Sequence, residues 1–427
     1  MEVKNTISPI MKQVYDPIHG FIDLTPLMQS IIYTWEFHRL YDLHQLGAAY
    51  LVYPSAVHKR SEHSLGVSYL AGIMAENLVN CPEVEQDEEG LIIKVNGENS
   101  VETHHVEKDR FIELCRVAGL IHDIGHGPYS HLYDTHIKLK DEPHHEERGI
   151  KIFQDMCSTY KLELTLQEIC IINTMISPPS ENNISSLWYY QIVANKVCDI
   201  DVDKIDYIQR DSFHTGLGYG GEWSRLLTKC TVRDDPQKEG IKTIVWSYKL
   251  KDEISQLFAT RYRLHKNVYT HHTVKAYEFI IIDMLKMIRS QVDDFLLLTD
   301  SVISCRTNIE SREMQMAIAR KEIPLLIEER VVPEDGKKDL TYPCTEEPNL
   351  IIDRFDIGLS GGDKNPLNFV LYEDKNGTIH NVGDDETGLC IPKMHKETIM
   401  RIYTCERAVT DATLESVRMF WNTFDEC

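Results

Sequence analysis

Positive charge is what this chain has little of. Its 427 residues carry 45 Lys and Arg against 67 Asp and Glu, a formal net charge of −22 before 19 histidines are considered. A broad grip on nucleic acid or on an anionic membrane needs a basic face that displaces counterions, so extended nucleic-acid binding is disfavoured, while a local basic pocket remains open. Long apolar runs are missing too: no stretch approaches the ~18 residues of a membrane span. The opening MEVKNTISPIMKQVYDP lacks the charged-then-apolar layout of a signal peptide. The expectation is an intracellular protein, cytoplasmic or nuclear, with no membrane partner. With 22 Gly and 16 Pro, and 42% hydrophobic residues, collagen-like, disordered and low-complexity classes fall away. The 11 cysteines are odd in number and contain no C-x-x-C pair, which argues for reduced, mostly buried thiols over a disulfide framework or zinc knuckle.

What is present is mainly helical periodicity. From about residue 26 to 330 apolar residues recur at helical spacing, as in SLGVSYLAGIMAENLV, FIELCRVAGLIH, HTVKAYEFIIIDMLKMIRSQVDDFLLL and REMQMAIARKEIPLLIEE. An acidic stretch at 82–110, with LIIKV ahead of Asn96-Gly97, predicts a solvated excursion containing a hairpin. The polar, proline-bearing segment 331–348 predicts a linker. Beyond it, IIDRFDIGL and NFVLYED-KNG-TIHNV predict strands turning at Asn376-Gly377, and KETIMRIYTCERAV and TLESVRMFWNTF predict two closing helices. The expected organisation is a mostly α core over 12–330 and a smaller α+β C-terminal lobe over 349–427.

The histidines cluster: RSEH ends at His63, HDIGHGPYSH runs from His122 to His131, and PHHE includes His145. Imidazole with carboxylate suits a divalent Fe, Mn, Ni or Zn ion. Adjacent helical residues point about 100° apart, so the His122-Asp123 pair reaches one metal best at a helix end, where Gly125, Gly127 and Pro128 supply the break. Taken alone, an HD dipeptide is more simply a helix cap with an exposed neighbour. The segment IDVDKIDYIQRD changes that weighing: on a helix Asp203, Tyr207 and Asp211 stand at i, i+4 and i+8 beside Lys204, among apolar Ile200, Val202, Ile205 and Ile208. A polar pocket face on a buried helix follows. Arg261, His265 and Tyr269 repeat the spacing as a cationic and aromatic stripe, suited to a phosphorylated ligand or equally to an interface packed through long side chains.

The order His63, His122-Asp123, Asp203 resembles the H…HD…D signature of the HD-domain phosphohydrolases. DPIHG (16–20), QLGAAYLVYP (45–54), HKRSEHSLG (58–66), HDIGHGPYSH and IDVDKIDY together resemble the SAM-and-HD-domain deoxynucleoside triphosphate triphosphohydrolases, strongly over about 12–290 and loosely beyond. The resemblance implies an HD-domain helical core and hydrolysis of a dNTP to deoxynucleoside and inorganic triphosphate, controlling dNTP pools. It implies His63, His122, Asp123 and Asp203 as ligands of a divalent metal (Fe, Mn, Zn or Mg). His131 would be the general acid, His126 would lie beside the α-phosphate, and Asp134 and His145 would form the supporting relay. Arg60, Lys204 and Arg261 would clamp the triphosphate, with His265 on the same stripe. Gln45 and Asp211 would bind the 3′-hydroxyl, and Leu46, Tyr207 and Tyr269 would wall the deoxyribose.

Departures bear on regulation. The chain begins almost at the HD core, so no SAM module is expected in it. Where the family reads guanine the sequence carries Tyr33, His38 and Tyr41, so activation by GTP is not carried over, although Lys12 matches a phosphate-gripping lysine. A homo-oligomer and a nucleotide effector are what the family implies. Two other readings stay open: an HD phosphohydrolase acting on another nucleotide, and a non-catalytic relative that binds nucleotide or single-stranded nucleic acid.

Overall fold

The computed structural model describes residues 12–96, 101–179, 188–219, 221, 223–304, 309–333, 350–361, 365–381 and 395–425. Helices dominate and the sheets are small, in line with the predicted mostly α class. Helix Arg60–Leu78 is the axis of the core and is buried on nearly every side. A small residue on the neighbouring helix Lys108–Ile121 lets the two approach: a methyl added to Gly119 would lie 2.9 Å from the Val67 carbonyl oxygen. Helix Val202–Thr215 packs across Gly66, where an added methyl would sit 2.0 Å from Asp206 Oδ1, so no side chain fits there. The Asp201 carboxylate caps this helix by accepting from the Lys204 N–H, and Gly216 closes it in the left-handed region at φ 69°.

The DPIHG motif is the turn of a hairpin, Lys12–Asp16 against Gly20–Leu24. Asp16 Oδ1 accepts from the Ile18 and His19 N–H groups, and Gly20 takes φ 75°.

Four expectations need correction. First, the 82–110 segment is not simply solvated: strands Gly90–Asn96 and Val101–Val106 pair, and Leu91, Ile93 and Val95 on one face join the core. Second, KETIMRIYTCERAV forms strand Lys396–Thr404, the centre of a three-stranded sheet between Leu325–Val332 and Leu350–Gly358. Residues 398–404 are buried on both faces, so the alternation that marks a half-exposed strand is missing and an apolar run of either type fits the pattern. Third, the helical run expected over REMQMAIARKEIPLLIEE (312–329) stops at Arg320, Lys321 turns at φ 57°, and Leu325–Val332 crosses the expected boundary to pair with Lys396–Thr404. Val331 and Val332 are therefore strand, while the rest of the expected linker, 334–348, lies outside the described residues. Fourth, the hairpin Leu371–Glu373 and Ile379–Asn381 leaves the C-terminal sheet and adds to Lys242–Ser247 of the core. Helix Asp411–Asp425 covers the C-terminal sheet through Val417 and Trp421, which pack with Met400 and Ile402.

Candidate active site

The N-terminus of helix Arg60–Leu78, the loop after helix Lys108–Ile121, the first turns of His131–His136 and His145–Tyr160, and helices Val202–Thr215 and Lys251–Leu264 enclose one cavity of ≈ 700 Å³. Its walls bring together Gln45, Leu46, Arg60, His63, His122, Asp123, His126, His131, His145, Asp203, Tyr207, Asp211, Arg261, His265 and Tyr269. Asp134, Lys204 and Lys12 do not line it.

His122 caps its helix C-terminus, as the glycines and proline after it suggested, and its Nδ1 lies 2.8 Å from the Gly119 carbonyl oxygen. That contact makes Nδ1 the donor and leaves Nε2, which is buried without a hydrogen-bond partner. His63 is arranged alike: Nδ1 lies 2.7 Å from Asp206 Oδ2, and Nε2 faces Asp203 Oδ1 at 2.9 Å. His122 Nε2 is 3.4 Å from both Asp123 Oδ1 and Asp203 Oδ1, and His63 Nε2 is 3.7 Å from Asp123 Oδ2. Two imidazoles tethered through Nδ1, with two carboxylates around their Nε2 atoms, can hold a divalent ion; the orphaned Nε2 of His122 is what such an ion would satisfy. Burial would lower His63, but Asp203 and Asp206 push it up to about 10. Burial would raise Asp123, but Arg60, His122 and His126 hold it well below the usual carboxylate range.

Asp206 escaped the sequence reading. It is fully buried and accepts from His19 Nε2 at 2.6 Å, His63 Nδ1 at 2.7 Å and, through both oxygens, Arg210 at 2.8 and 2.9 Å. Arg210 Nη1 also donates to Asp16 Oδ2 at 2.8 Å, which ties the DPIHG turn to the back of His63. A signal was present: Asp206 and Arg210 stand i, i+4 among the isoleucines of the apolar face, where charge needs a buried partner.

On the opposite wall the rings of His126 and His145 stack at 4.0 Å, and His131 meets them edge-on at 5.1 and 5.7 Å. Asp134 sits behind this wall, accepting from His145 Nδ1 at 2.5 Å and from Arg148 Nη2 at 2.7 Å. Arg148, also missed, donates from Nε to the Gly125 carbonyl at 2.8 Å and so locks the loop after the His-Asp pair. His131 opens into the cavity but is ringed by protein; that enclosure, Arg60 and His145 pull it down to about 4. Burial, Arg60 and His145 lower His126 as well.

Arg60 pairs with Asp123 and donates from Nε to Ser130 Oγ at 2.8 Å. Arg261 donates to the Gly358 carbonyl at 2.8 Å and to the Tyr207 hydroxyl at 3.2 Å, so the end of strand Leu350–Gly358 helps to aim a cavity cation. Lys204 departs from the expected clamp: it is buried beside the wall, 3.8 Å from Asp201 and 3.9 Å from Asp199. The Arg261 stripe is not one regular helix, because His265–Tyr269 is a π-helical turn; all three members still face the cavity. Asp211 is held from two sides, by His58 Nε2 at 2.8 Å and the Tyr269 hydroxyl at 2.5 Å. Gln45 presents a buried Oε1 without a hydrogen-bond partner. Lys12 lies apart, donating to the Tyr33 hydroxyl at 2.7 Å on an exposed face.

This is the architecture of an HD-domain protein, and the chain belongs to that family. The HD domain profile matches residues 60–211. A putative HD domain-containing protein, L394, of Acanthamoeba polyphaga mimivirus is 30% identical over 96% of this chain and 95% of its own length. The chain is also similar to the deoxynucleoside triphosphate triphosphohydrolase SAMHD1 homolog of Dictyostelium discoideum, at 29% identity over 93% of this chain and 79% of that protein. Mouse deoxynucleoside triphosphate triphosphohydrolase SAMHD1 is 28% identical over 92% of this chain and 68% of its own length. Among the described residues no helix is long and apolar enough to cross a membrane.

Proposed function

We propose that the protein is a metal-dependent hydrolase of deoxynucleoside triphosphates, releasing deoxynucleoside and inorganic triphosphate and so controlling dNTP pools. The observation that carries this reading is the convergence of four metal-type donors, two arginines and three histidines on one cavity. The names of the SAMHD1 relatives support the substrate class.

His63, His122, Asp123 and Asp203 would hold the ion, which when bound supplies Lewis acidity to an α-phosphate oxygen and a water of lowered pKa. Arg60 and Arg261 neutralise the triphosphate through charge-assisted hydrogen bonds in a site shielded from bulk water. Lys204 would join them only by swinging away from Asp199 and Asp201. Water adds to the α-phosphorus, the bond to the 5′-oxygen breaks, and His131 delivers the proton that oxygen needs. Free His131 is held low first by enclosure and then by Arg60 and His145; a polyanion pairing with Arg60 offsets the second of these and shifts the imidazole back toward its protonated form. Asp134 anchors His145, and His126 lines the same wall beside the α-phosphate. At the sugar end Asp211 and Gln45 offer acceptors to a 3′-hydroxyl, while Leu46 and the rings of Tyr207 and Tyr269, whose hydroxyls are engaged with Arg261 and Asp211, wall the deoxyribose against a ribose 2′-hydroxyl. His265 lies on the same stripe as Arg261.

The test is to incubate metal-loaded protein with each dNTP and resolve the products; pyrophosphate or monophosphate in place of triphosphate would sink the mechanism. His131→Gln should lower kcat about 10²–10⁴-fold with KM little changed. Arg261→Ala should raise KM about 10–100-fold, the cost of about 1.5–3 kcal/mol for a charge-assisted hydrogen bond. The effector reading attaches to Lys12 alone, since Tyr33, His38 and Tyr41 stand where the family reads guanine; sedimentation with and without GTP tests it and the homo-oligomer together.

A further inference from the structure

We infer that His126, His131 and His145 form a second metal site, separate from the His63, His122, Asp123 and Asp203 group, which takes a borderline-soft divalent ion such as Zn²⁺ and inhibits the enzyme when filled. The inhibitory half rests on the reading of His131 as the proton donor; the binding half does not.

One ring nitrogen from each of the three histidines lies within 4.8 Å of the other two. In a tetrahedral site with metal–nitrogen bonds of about 2.0–2.1 Å, ligand nitrogens stand about 3.3 Å apart, so the set closes when each ring moves by about 1 Å and the stacked rings of His126 and His145, 20° apart, splay to converge their lone pairs. His131 has that freedom: it opens into the cavity, and among the described residues no hydrogen bond holds its ring.

The other two rings are prepared in ways that ligands are. Asp134 engages His145 Nδ1 at 2.5 Å, which fixes the tautomer, turns Nε2 outward and strengthens it as a donor. Arg148 holds Asp134 in turn at 2.7 Å, so this carboxylate is oriented and does not compete as a ligand. His126 is 1% exposed, and its Nδ1 is buried with no hydrogen-bond partner. An unmet buried nitrogen is costly, and coordination would relieve it.

Donor chemistry distinguishes the two sites, although they adjoin: Asp123 Oδ1 lies 3.3 Å from His126 Nε2. The HD group mixes imidazole and carboxylate, which also suits harder ions, whereas a set whose three ligands are imidazoles selects Zn²⁺, Co²⁺, Ni²⁺ or Cu²⁺. Arg60 lines the same cavity and its positive charge opposes the second ion, while the carboxylates of Asp123 and Asp134 partly offset it. The second site therefore fills after the first. An ion there occupies the lone pair on which His131 would carry its proton.

The experiment titrates Co²⁺ into metal-free protein, following visible absorption and bound metal. Two ions per chain are expected in the parent protein, one in His126→Ala and one in His145→Ala, with circular dichroism unchanged. Asp203→Ala should weaken or lose the other ion and keep the all-imidazole spectrum. A single ion in the parent protein, or two in both histidine variants, overturns the site. Zn²⁺ added to Mn²⁺-loaded enzyme should lower the rate about 10²-fold or more, the least that loss of a general acid costs. Two bound ions without inhibition overturn the inhibitory half. Two bound ions with no dNTP hydrolysis under any metal overturn the proposed activity and leave the site standing.

Discussion

Replacing Asp203 by Ala is expected to abolish triphosphate release while leaving the chain folded. Asp203 Oδ1 stands 2.9 Å from His63 Nε2 and 3.4 Å from His122 Nε2, so the carboxylate bridges the two imidazoles that the ion would share. Partners one shell further out already cost 10–100-fold in affinity or activity, so loss of a direct ligand should cost about 10³-fold or more. The fold has little stake in this side chain, which is 35% exposed into the cavity, and the helix is capped by its neighbour Asp201. Product analysis, bound metal and thermal unfolding check the three parts together. Full activity in the variant would remove the proposed mechanism.

Replacing Arg210 by Met should be the most destabilising change near the site. It leaves Asp206 and Asp16, 0% and 4% exposed, without their guanidinium partner, and breaking one side of a buried ion pair costs about 3–5 kcal/mol. A denaturant midpoint that falls with unchanged slope is the expected readout; a loss below 1 kcal/mol would mean that solvent reaches the cluster. The same cluster sets an acid limit. Burial would raise the Asp206 carboxyl, but Arg210, His19 and His63 hold it well below its ordinary value. A group depressed in the folded state stabilises above its unfolded pKa, about 3.9, and that stability drains away as the pH falls below it. Stability should therefore hold from neutral pH to about 4 and then drop. Asp206→Asn should remove part of that dependence, measured as the melting temperature against pH.

Much of the site could be read before the fold was known, and the reasons differ by residue. Asp203, Tyr207 and Asp211 share one helical face because 3.6-residue periodicity is local, and the helix Val202–Thr215 places all three on the cavity wall. The His122-Asp123 pair at a helix end followed from the glycines and proline behind it. Lys204 did not follow: it is adjacent to Asp203 in sequence, yet Asp199 and Asp201 draw its side chain alongside the wall. Strand Lys396–Thr404 did not follow either, since burial on both faces erases the alternation that separates strand from helix.

The amino-acid sequence by itself determined the donor set: imidazoles and carboxylates in a fixed order, a cationic and aromatic stripe, and an acidic average charge. Tertiary structure alone decided which nitrogen each histidine presents. His63 turns Nε2 to the cavity because Asp206, 143 residues away, takes Nδ1; His145 does so because Asp134, itself gripped by Arg148, takes its Nδ1. Local spacing dictates which side chains share a face, because backbone geometry repeats every few residues. Which of them meet across the core depends on how helices pack, and small residues such as Gly66 and Gly119 set that approach only once the chain has folded.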